Sequence, residues 1–256
     1  MLSRRAALRS IFGTAAMACP LCQAGGAHAT STPQSSYDSH QGREAWAKLS
    51  PEWRACSDRI EESPVDLKDA IKAELGLLSF AYKRMPVRIV NNGHTIQVNC
   101  PTGSQAQIGR ETYDLIQYHF HHPSEHILAG QRFELELHLV HRDKSGHLAV
   151  IGVFIRSGAA NAALQSLWTV LPPKAGPEKW TSVTLNPDRL LPANSSYYRY
   201  YGSLTTPPCS DGVLWTMFKE PLQASEAQIR QFAQLYPNNS RPVQPVNRRF
   251  LLQSGY

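Results

Sequence analysis

The sequence of 256 residues lacks the features that mark nucleic-acid-binding and membrane-spanning proteins. It contains no stripe of basic residues interleaved with aromatic ones. Residues 1–29 carry three arginines and no acid, so the remainder holds 23 basic and 20 acidic groups, a net charge of only +3. The apolar stretch IFGTAAMA near the N-terminus is too short to span a bilayer. We therefore expect no nucleic-acid partner and no stable membrane insertion.

Linkers, internal repeats and low-complexity runs are also missing after Pro51, and helix patterns are few. Helical periodicity is found at residues 157–171 and 225–236. The second segment opens with Ser225 and Gln228, which have the spacing of a capping box. An apolar content of 42% is enough for a sizeable core. The sequence is therefore that of a single globular domain with little helix.

Strand patterns dominate the rest of the chain. Eight segments are rich in β-branched and aromatic residues, and several alternate polar and apolar positions with period two. They are VRIVNN (87–92), TIQVNC (95–100), YDLIQYHFH (113–121), ELELHLVHR (134–142), LAVIGVFIR (148–156), SVTL (182–185), YYRYYGSL (197–204) and GVLWTMF (212–218). The sequence predicts a mainly β (α+β) fold, a mostly antiparallel sheet with short peripheral helices in one domain at 30–256.

The first 29 residues have the organisation of an export signal. Paired arginines in SRRAALRS precede the apolar stretch, and AHA at 27–29 supplies a small-residue cleavage site. Paired arginines indicate the twin-arginine export route. We expect residues 1–29 to be a cleaved signal peptide and the mature protein to be periplasmic or secreted. The alternatives are a disordered cytoplasmic tail and a lipid anchor through Cys19.

The sequence contains five cysteines, which limit the number of disulfides that can form in an oxidising compartment. Cys19 and Cys22 would leave with the signal peptide, so the mature chain keeps Cys56, Cys100 and Cys209. Three cysteines allow one bridge and one spare thiol, and their spacing does not choose the pair.

Six of the ten histidines fall within residues 117–141, on two neighbouring predicted strands. Side chains alternate across a strand, so His119 and His121 share one face. If the next strand pairs with the first, His138 can converge on them. Three neutral imidazoles leave the fourth position of a tetrahedral zinc open, which is typical of a catalytic site. The sequence therefore predicts that these three histidines bind Zn²⁺.

A metal site also needs partners that fix each imidazole ring. Gln117 and Glu136 each precede a predicted ligand by two residues on its own face, so we expect them to accept that ligand's second ring N–H. His122, His126 and His141 are expected to hydrogen-bond within turns or between strands instead. The alternative for the whole cluster is a set of sheet histidines satisfied without metal.

A second metal-binding pattern overlaps the first. His119, His121 and Glu125, followed by a later histidine, also fit the metal-binding cupins, in which the glutamate is itself a ligand. Pro123 and Ser124 would interrupt the strand before Glu125, and no second cupin box follows. The histidine spacing alone leaves a metal cupin open as an alternative.

The segment YYGSLTTPPCSDGVLW at 200–215 chooses between these alternatives. Together with QYHFHHPSEH, ELELHLVH, NNGH and ESPVDL, it makes the chain closely resemble the α-class carbonic anhydrases in their exported bacterial form. The resemblance runs from about Tyr37 to the C-terminus and includes RPVQPVNRR at 241–249. It implies a large twisted sheet of about ten strands and an enzyme of one-carbon metabolism that reversibly hydrates carbon dioxide to bicarbonate and a proton.

The resemblance also implies how such a zinc enzyme works. Zinc makes hydroxide available from a bound water, and the hydroxide attacks carbon dioxide. Thr205 accepts the hydroxide proton in a hydrogen bond and donates its own to an ionised Glu125, while Thr206 contacts bicarbonate. The apolar substrate pocket is implied at Val140, Val150, Leu204, Val213 and Trp215. Plain core packing is the alternative for these five side chains.

Proton release is assigned by the resemblance to His94, because a solvent-facing imidazole titrates near neutral pH. Tyr37, Asn92 and Gln97 would order the waters between zinc and His94, although Ser35 stands where a tryptophan is usual in the family. A turn histidine after the Asn-Gly pair is the alternative for His94.

Two further features follow from the resemblance. Cys56 and Cys209 match the disulfide of the bacterial members, which should steady the loop carrying Thr205 and leave Cys100 as the odd thiol. Glu62 stands where the family has glutamine.

The expected small-molecule partners are carbon dioxide and bicarbonate, with sulfonamides and small anions as inhibitors. A non-catalytic zinc-binding or interaction module on the same fold is the alternative function. The sequence does not give the oligomeric state, and a homodimer is compatible with it.

Overall fold

The predicted strand segments join into one sheet in the computed structural model, which describes residues 42–255. Thirteen strands are found within that range. They are β1 Ile71–Ala73, β2 Leu78–Ala81, β3 Met85–Asn91, β4 Ile96–Asn99, β5 Gln105–Ile108, β6 Glu111–His121, β7 Leu135–Arg142, β8 Leu148–Ser157, β9 Lys179–Leu185, β10 Tyr197–Ser203, β11 Asp211–Phe218, β12 Leu222–Ala224 and β13 Leu252–Ser254. The expected signal peptide and Tyr37 lie outside the described residues.

The sheet runs in the order β1-β13-β10-β11-β8-β7-β6-β4-β3-β9, with β12 beside β8 and the β2–β5 pair attached to β6. Nine of the twelve strand pairings are antiparallel and three are parallel. The prediction of a mainly β, mostly antiparallel fold is therefore confirmed. The path of the sheet contains ten strands, in agreement with the expected large sheet of about ten, and β2, β5 and β12 pair beside it. Strands of three residues such as β1, β12 and β13 are too short to show an alternating pattern in the sequence.

Four short α-helices and two 3-10 helices, Pro51–Trp53 and Pro187–Leu190, accompany the sheet in the described part of the chain. The α-helices are α1 Gly42–Leu49, α2 Ala55–Asp58, α3 Ala162–Trp168 and α4 Glu226–Leu235. Helix α4 has the predicted capping box, in which Ser225 accepts from the Gln228 N–H and the Gln228 side chain accepts from the Ser225 N–H. Helix α3 is shorter than predicted because Ser157 still belongs to β8 and Asn161 caps the helix. None of these helices is long and apolar enough to cross a membrane.

One face of the sheet carries the larger hydrophobic core, which α3 and α4 cover. Phe120 on β6 packs edge-on against Trp168, with ring centroids 5.0 Å apart, and Trp168 stacks on Phe232 of α4 at 5.8 Å. All three side chains are buried. Burying an aromatic of this size contributes roughly 1.5–3 kcal/mol. Because Phe120 faces this core, its neighbours on β6, His119 and His121, must face the other side of the sheet.

The disulfide joins the N-terminal helices to the loop after β10. Cys56 in α2 is bonded to Cys209, 153 residues away in sequence, and both are buried beside Trp46 and Trp53. The pairing implied by the resemblance is confirmed. The third cysteine, Cys100, is a free thiol, and burial raises its pKa to about 12.

Candidate metal centre

Strands β6 and β7 bring three histidines together on the face opposite the larger core. His119 pairs in register with His138, and His121 pairs with Glu136. The three ring centroids are 4.6 to 5.2 Å apart. One nitrogen from each ring lies within 4.8 Å of the other two. His121 and His138 are buried and His119 is half-buried, so the predicted convergence of the three imidazoles is present in the fold.

Within residues 42–255, each of the three rings is hydrogen-bonded through one of its two nitrogens. His119 Nδ1 lies 2.9 Å from Gln117 Oε1, and His138 Nε2 lies 2.6 Å from Glu136 Oε1. His121 Nδ1 lies 2.8 Å from the main-chain oxygen of Asn239. An oxygen acceptor on one nitrogen places the proton there and leaves the other nitrogen as a lone-pair donor.

The remaining nitrogens fit a zinc ion. They are His119 Nε2, His121 Nε2 and His138 Nδ1, and His121 Nε2 is buried with no hydrogen-bond partner. A buried polar nitrogen without a partner is costly unless something else satisfies it. Three neutral imidazole donors and no thiolate suit zinc with an open fourth position.

Burial keeps two of the predicted ligands uncharged, as binding of a cation requires. Burial, with smaller contributions from His121 and His138, holds the pKa of His119 well below its ordinary value. Burial also lowers the pKa of His121, although Glu125 opposes that shift. Both rings are therefore neutral at ordinary pH, and binding a metal ion displaces no proton from them.

Glu136 orients two histidines at once. Besides His138, its Oε1 lies 2.7 Å from His126 Nδ1, and its Oε2 accepts the His126 main-chain N–H at 2.8 Å. Although burial alone would raise the pKa of Glu136, His126 and His138 hold it well below its usual range. The opposite nitrogen of His126 lies 2.7 Å from the Tyr200 hydroxyl. His126, Glu136 and His138 are close enough to hold a metal, but both His126 nitrogens already have partners.

Glu125 stands beside the free nitrogens without joining their group. Its Oε1 accepts the main-chain N–H of Arg241 at 2.8 Å. Its Oε2 lies 3.5 Å from His121 Nε2 and 3.9 Å from His138 Nδ1 and has no hydrogen-bond partner among the described residues. The set of converging ligand atoms contains the three histidines and not this carboxylate.

The segment between β10 and β11 carries Thr205 and Thr206. Leu204 N–H donates to the Ser210 carbonyl at 2.9 Å, and Cys209 N–H donates to the Thr206 carbonyl at 2.9 Å. Together with the disulfide, these bonds close the segment into a tight loop. Thr205 is buried within it.

His94 lies in the turn between β3 and β4. Asn92 Oδ1 accepts the His94 and Thr95 N–H groups, both at 2.9 Å, so this side chain shapes the turn. Gln97 pairs in register with His119, and its amide donates to Asn99 at 2.6 Å. Burial lowers the pKa of His94.

Three of the five expected apolar pocket residues occupy one row of the sheet. Val140 pairs with Val150, and Val150 pairs with Trp215, so the three side chains cross β7, β8 and β11 beside each other. Val213 and the partly buried Leu204 belong to the same apolar cluster. This cluster lies on the histidine face, since Trp215 is 4.9 Å from His138 between ring centroids.

Sequence reasoning missed the supports that come from the C-terminal segment. Asn239 binds His121 through its carbonyl, accepts the His122 N–H through Oδ1 at 2.7 Å, and donates to the His94 carbonyl at 2.9 Å. Neither spacing nor periodicity in the sequence links Asn239 to His121, 118 positions away. His126 was expected to hydrogen-bond within turns or between strands, but spacing could not identify Tyr200, 74 positions away on β10, as its partner.

The chain matches the family model described as eukaryotic-type carbonic anhydrase over residues 41–255. A carbonic anhydrase of Nostoc sp. (strain PCC 7120) is 39% identical over 251 residues, covering 96% of this chain and 94% of the relative. Dioscorin dioA3 of Dioscorea japonica is 35% identical over 218 residues, covering 81% and 80%.

A solved α-carbonic anhydrase of Thermovibrio ammonificans, in complex with the inhibitor sulfanilamide, superposes with a TM-score of 0.82. It is 41% identical and covers 89% of this chain and all of its own length. The family match excludes the metal-cupin alternative, and the sheet, the histidine triad and these likenesses agree. The chain therefore belongs to the eukaryotic-type, or α-class, carbonic anhydrase family.

Proposed function

We propose that this chain catalyses the reversible hydration of carbon dioxide with a zinc ion held by His119, His121 and His138. The observation that carries the proposal is the convergence of three ring nitrogens whose opposite nitrogens are already bound. When bound, zinc supplies a Lewis acid that makes hydroxide available near neutral pH, as in characterised members of this family. Gln117, Glu136 and the Asn239 carbonyl keep the rings in the required tautomers.

Glu125 and Thr205 orient the attacking oxygen. Glu125 Oε2 has no hydrogen-bond partner in the described part of the chain, while Oε1 is anchored on Arg241. The anchored Glu125 carboxylate can accept a hydrogen bond from the Thr205 hydroxyl through Oε2, which leaves the Thr205 oxygen to accept a hydrogen bond in turn. This order of donors excludes ligands that bring no proton to Thr205.

The apolar row supports binding of an uncharged substrate. Carbon dioxide offers weak hydrogen bonding, so Val140, Val150, Leu204, Val213 and Trp215 can hold it without competing for its oxygens. Thr206, in the same loop as Thr205, is placed to contact bicarbonate. Because the Thermovibrio ammonificans relative binds sulfanilamide, sulfonamides and small anions should inhibit this chain as well.

Proton release is assigned to His94. Its half-buried ring, in a turn held by Asn92 and tied to Asn239, can exchange protons with buffer. Asn92, Gln97 and Tyr37 are proposed to order waters along the route.

We further propose that residues 1–29 are a cleaved twin-arginine signal peptide, that residues 30–256 form the enzyme domain, and that the mature enzyme is periplasmic or secreted. The paired arginines, the apolar stretch and the AHA site support export. The Cys56–Cys209 disulfide is typical of proteins in an oxidising compartment.

The proposal is tested by counting metal per chain and assaying carbon dioxide hydration, before and after zinc is stripped and restored. His119→Ala should lose both stoichiometric zinc and zinc-dependent hydration. The matched control is His147→Ala, which removes an exposed histidine whose ring binds Asp143. Full activity in His119→Ala would refute the ligand assignment. Stoichiometric zinc without activity in the wild type would instead favour the non-catalytic module.

A further inference from the structure

The turn that carries His94 is held from outside by the C-terminal end of helix α4. The main-chain N–H of Asn92 donates to the Thr95 carbonyl at 3.2 Å, which closes the turn between β3 and β4. The hydroxyl of Tyr236, the residue that follows α4, donates to Asn91 Oδ1 on one side of this turn. It also lies 3.3 Å from the Thr95 carbonyl oxygen on the other side. One hydroxyl therefore contacts both ends of the turn.

Asn91 connects this contact to the backbone of the turn. Its Oδ1 also accepts the Gly93 N–H at 3.1 Å, and its Nδ2 donates to the Pro172 carbonyl at 3.0 Å. Asn91 is 5% exposed, so these groups have little access to water that could replace a lost partner. Gly93 has a φ of +87°, a conformation that favours glycine. The shape of the turn therefore depends on buried hydrogen bonds in which Tyr236 takes part.

Tyr236 also connects the turn to the strand that bears two of the candidate ligands. Its ring lies 5.9 Å from that of Phe232 between centroids, and the Phe232 ring lies 5.9 Å from that of Phe120. Phe120 stands on β6 between the first two candidate ligands. The position of the turn relative to β6 is therefore set partly through α4.

The Tyr236 hydroxyl keeps its proton at ordinary pH. Burial raises the pKa of Tyr236 to about 12, although the main-chain N–H of Gly93 opposes that shift. Only a protonated hydroxyl can donate to Asn91 Oδ1, so this contact is retained throughout the ordinary pH range.

We propose that Tyr236 is a positioning residue for proton release, whose hydroxyl keeps the His94 turn at a fixed position relative to β6. The inference rests on the proposed function, in which His94 releases the proton. Proton transfer depends on the distance and orientation of the group that receives the proton. A turn that leaves its position part of the time therefore places His94 on the route less often. Because Asn92 and Asn239 also hold the turn, removing the Tyr236 hydroxyl should loosen it without unfolding it.

The test compares Tyr236→Phe with Tyr197→Phe. Tyr236→Phe removes the hydroxyl and keeps the ring that packs against Phe232. Tyr197→Phe is the matched control, because the Tyr197 hydroxyl also contacts two oxygen acceptors, the carbonyls of Leu75 and Gly76, both at 2.9 Å. Tyr197 lies on β10, which three other strands separate from β6 in the sheet.

The kinetic readout is turnover of the zinc-loaded proteins in weak and in concentrated buffer. In weak buffer Tyr236→Phe should turn over about threefold more slowly than wild type, a smaller loss than removal of His94 itself. Its kcat/KM should stay at the wild-type value, because that quantity reports the hydration step and not the later release of the proton. Concentrated buffer or added imidazole accepts the proton directly and should remove the difference. Tyr197→Phe should match the wild type in both buffers.

Two further measurements separate positioning of His94 from a general loss of structure. In a His94→Ala background, Tyr236→Phe should cause no additional loss of turnover, because the residue that it positions is absent. In the metal-free protein, the amide hydrogens of Gly93 and His94 should exchange with solvent about fivefold faster in Tyr236→Phe, since the closed turn has lost one hydrogen bond. Tyr197→Phe should keep the wild-type exchange rates at both positions.

Wild-type turnover of Tyr236→Phe in weak buffer, or unchanged amide exchange in the turn, would overturn the inference. A parallel loss of kcat and kcat/KM that buffer does not relieve would also overturn it, as would an additional loss in the His94→Ala background. Wild-type turnover of His94→Ala in weak buffer would instead refute the proposed role of His94 itself, whatever the result for Tyr236→Phe.

Discussion

Two buried histidines of β7, which lie on opposite faces of the sheet, have different roles in this fold. His138 and His141 lie three residues apart on β7, and both are fully buried. His138 faces two other imidazoles and a carboxylate. His141 points to the larger apolar core, where its Nε2 lies 2.6 Å from the Tyr82 hydroxyl. Burial therefore does not distinguish a ligand from a structural histidine, whereas convergence of unpaired nitrogens does.

His126 shows the same difference among histidines on the face of the sheet that carries the candidate metal centre. It is as buried as His138 and shares Glu136 with it, yet both of its nitrogens have partners. His121 has one partner and one free nitrogen. A free nitrogen alone does not mark a ligand, because His141 Nδ1 also has no hydrogen-bond partner among the described residues. The ligands differ from His126 and His141 in that their free nitrogens converge on one point.

The largest effect should come from Glu136→Gln, because Glu136 supports a ligand and a structural histidine together. Removing a buried charge from a paired network costs roughly 3–5 kcal/mol of stability. Loss of a partner that orients a metal-binding histidine weakens metal binding by about 10–100-fold. Chemical denaturation and competitive zinc titration measure the two effects.

Glu134→Gln is the matched control for this variant, because Glu134 lies two residues away and is exposed. Among the described residues its side chain accepts a hydrogen bond from the Ser157 N–H alone, at 3.2 Å, so stability and zinc affinity should both stay close to wild type. Equal zinc affinity in the two variants would contradict the role given to Glu136.

A smaller effect is expected from His141, and it should depend on pH. Burial lowers the pKa of His141 from 6.5 to about 4. The unfolded chain therefore binds one more proton than the folded chain between these values, so the contribution is complete above pH 6.5 and is lost as pH falls toward 4. The total loss is about 3 kcal/mol.

His141→Gln should flatten this dependence by up to about 1.4 kcal/mol per pH unit relative to wild type. Denaturation of the metal-free proteins across pH 4–7 measures the difference, in which the titration of all other groups cancels. His147→Gln removes an exposed histidine and should preserve the wild-type slope. A slope unchanged in His141→Gln would show that this ring does not stay neutral in the folded state.

Whether a contact was predictable depended on how far apart its two residues are in the sequence. Strand alternation predicts that His119 and His121 share a face, and local spacing identifies Gln117 and Glu136 as ring partners, because these relations span only a few residues. The capping box at Ser225 was predictable for the same reason.

Relations that cross the fold were not predictable from spacing. The Asn239 carbonyl reaches His121 across 118 positions, and Arg241 reaches Glu62 across the whole domain. The disulfide pair came from resemblance and not from cysteine spacing, since three cysteines allow three pairings. The short strands β1, β12 and β13 were missed because neighbouring strands, and not their own sequence, define them.

The smallest effect should come from His94, which, unlike His138 and His141, is half-exposed in a turn. His94→Ala should lower turnover roughly tenfold in weak buffer, less than a full general acid–base contribution because buffer can take the proton directly. Burial holds the pKa of His94 below its ordinary 6.5, so its share of turnover should decline only at pH values below 6.5. The interconversion of carbon dioxide and bicarbonate at chemical equilibrium should be unaffected, and added imidazole should restore part of the turnover. Wild-type turnover of His94→Ala in weak buffer would rule out the shuttle, and His94 would then be a turn residue held by Asn92 and Asn239.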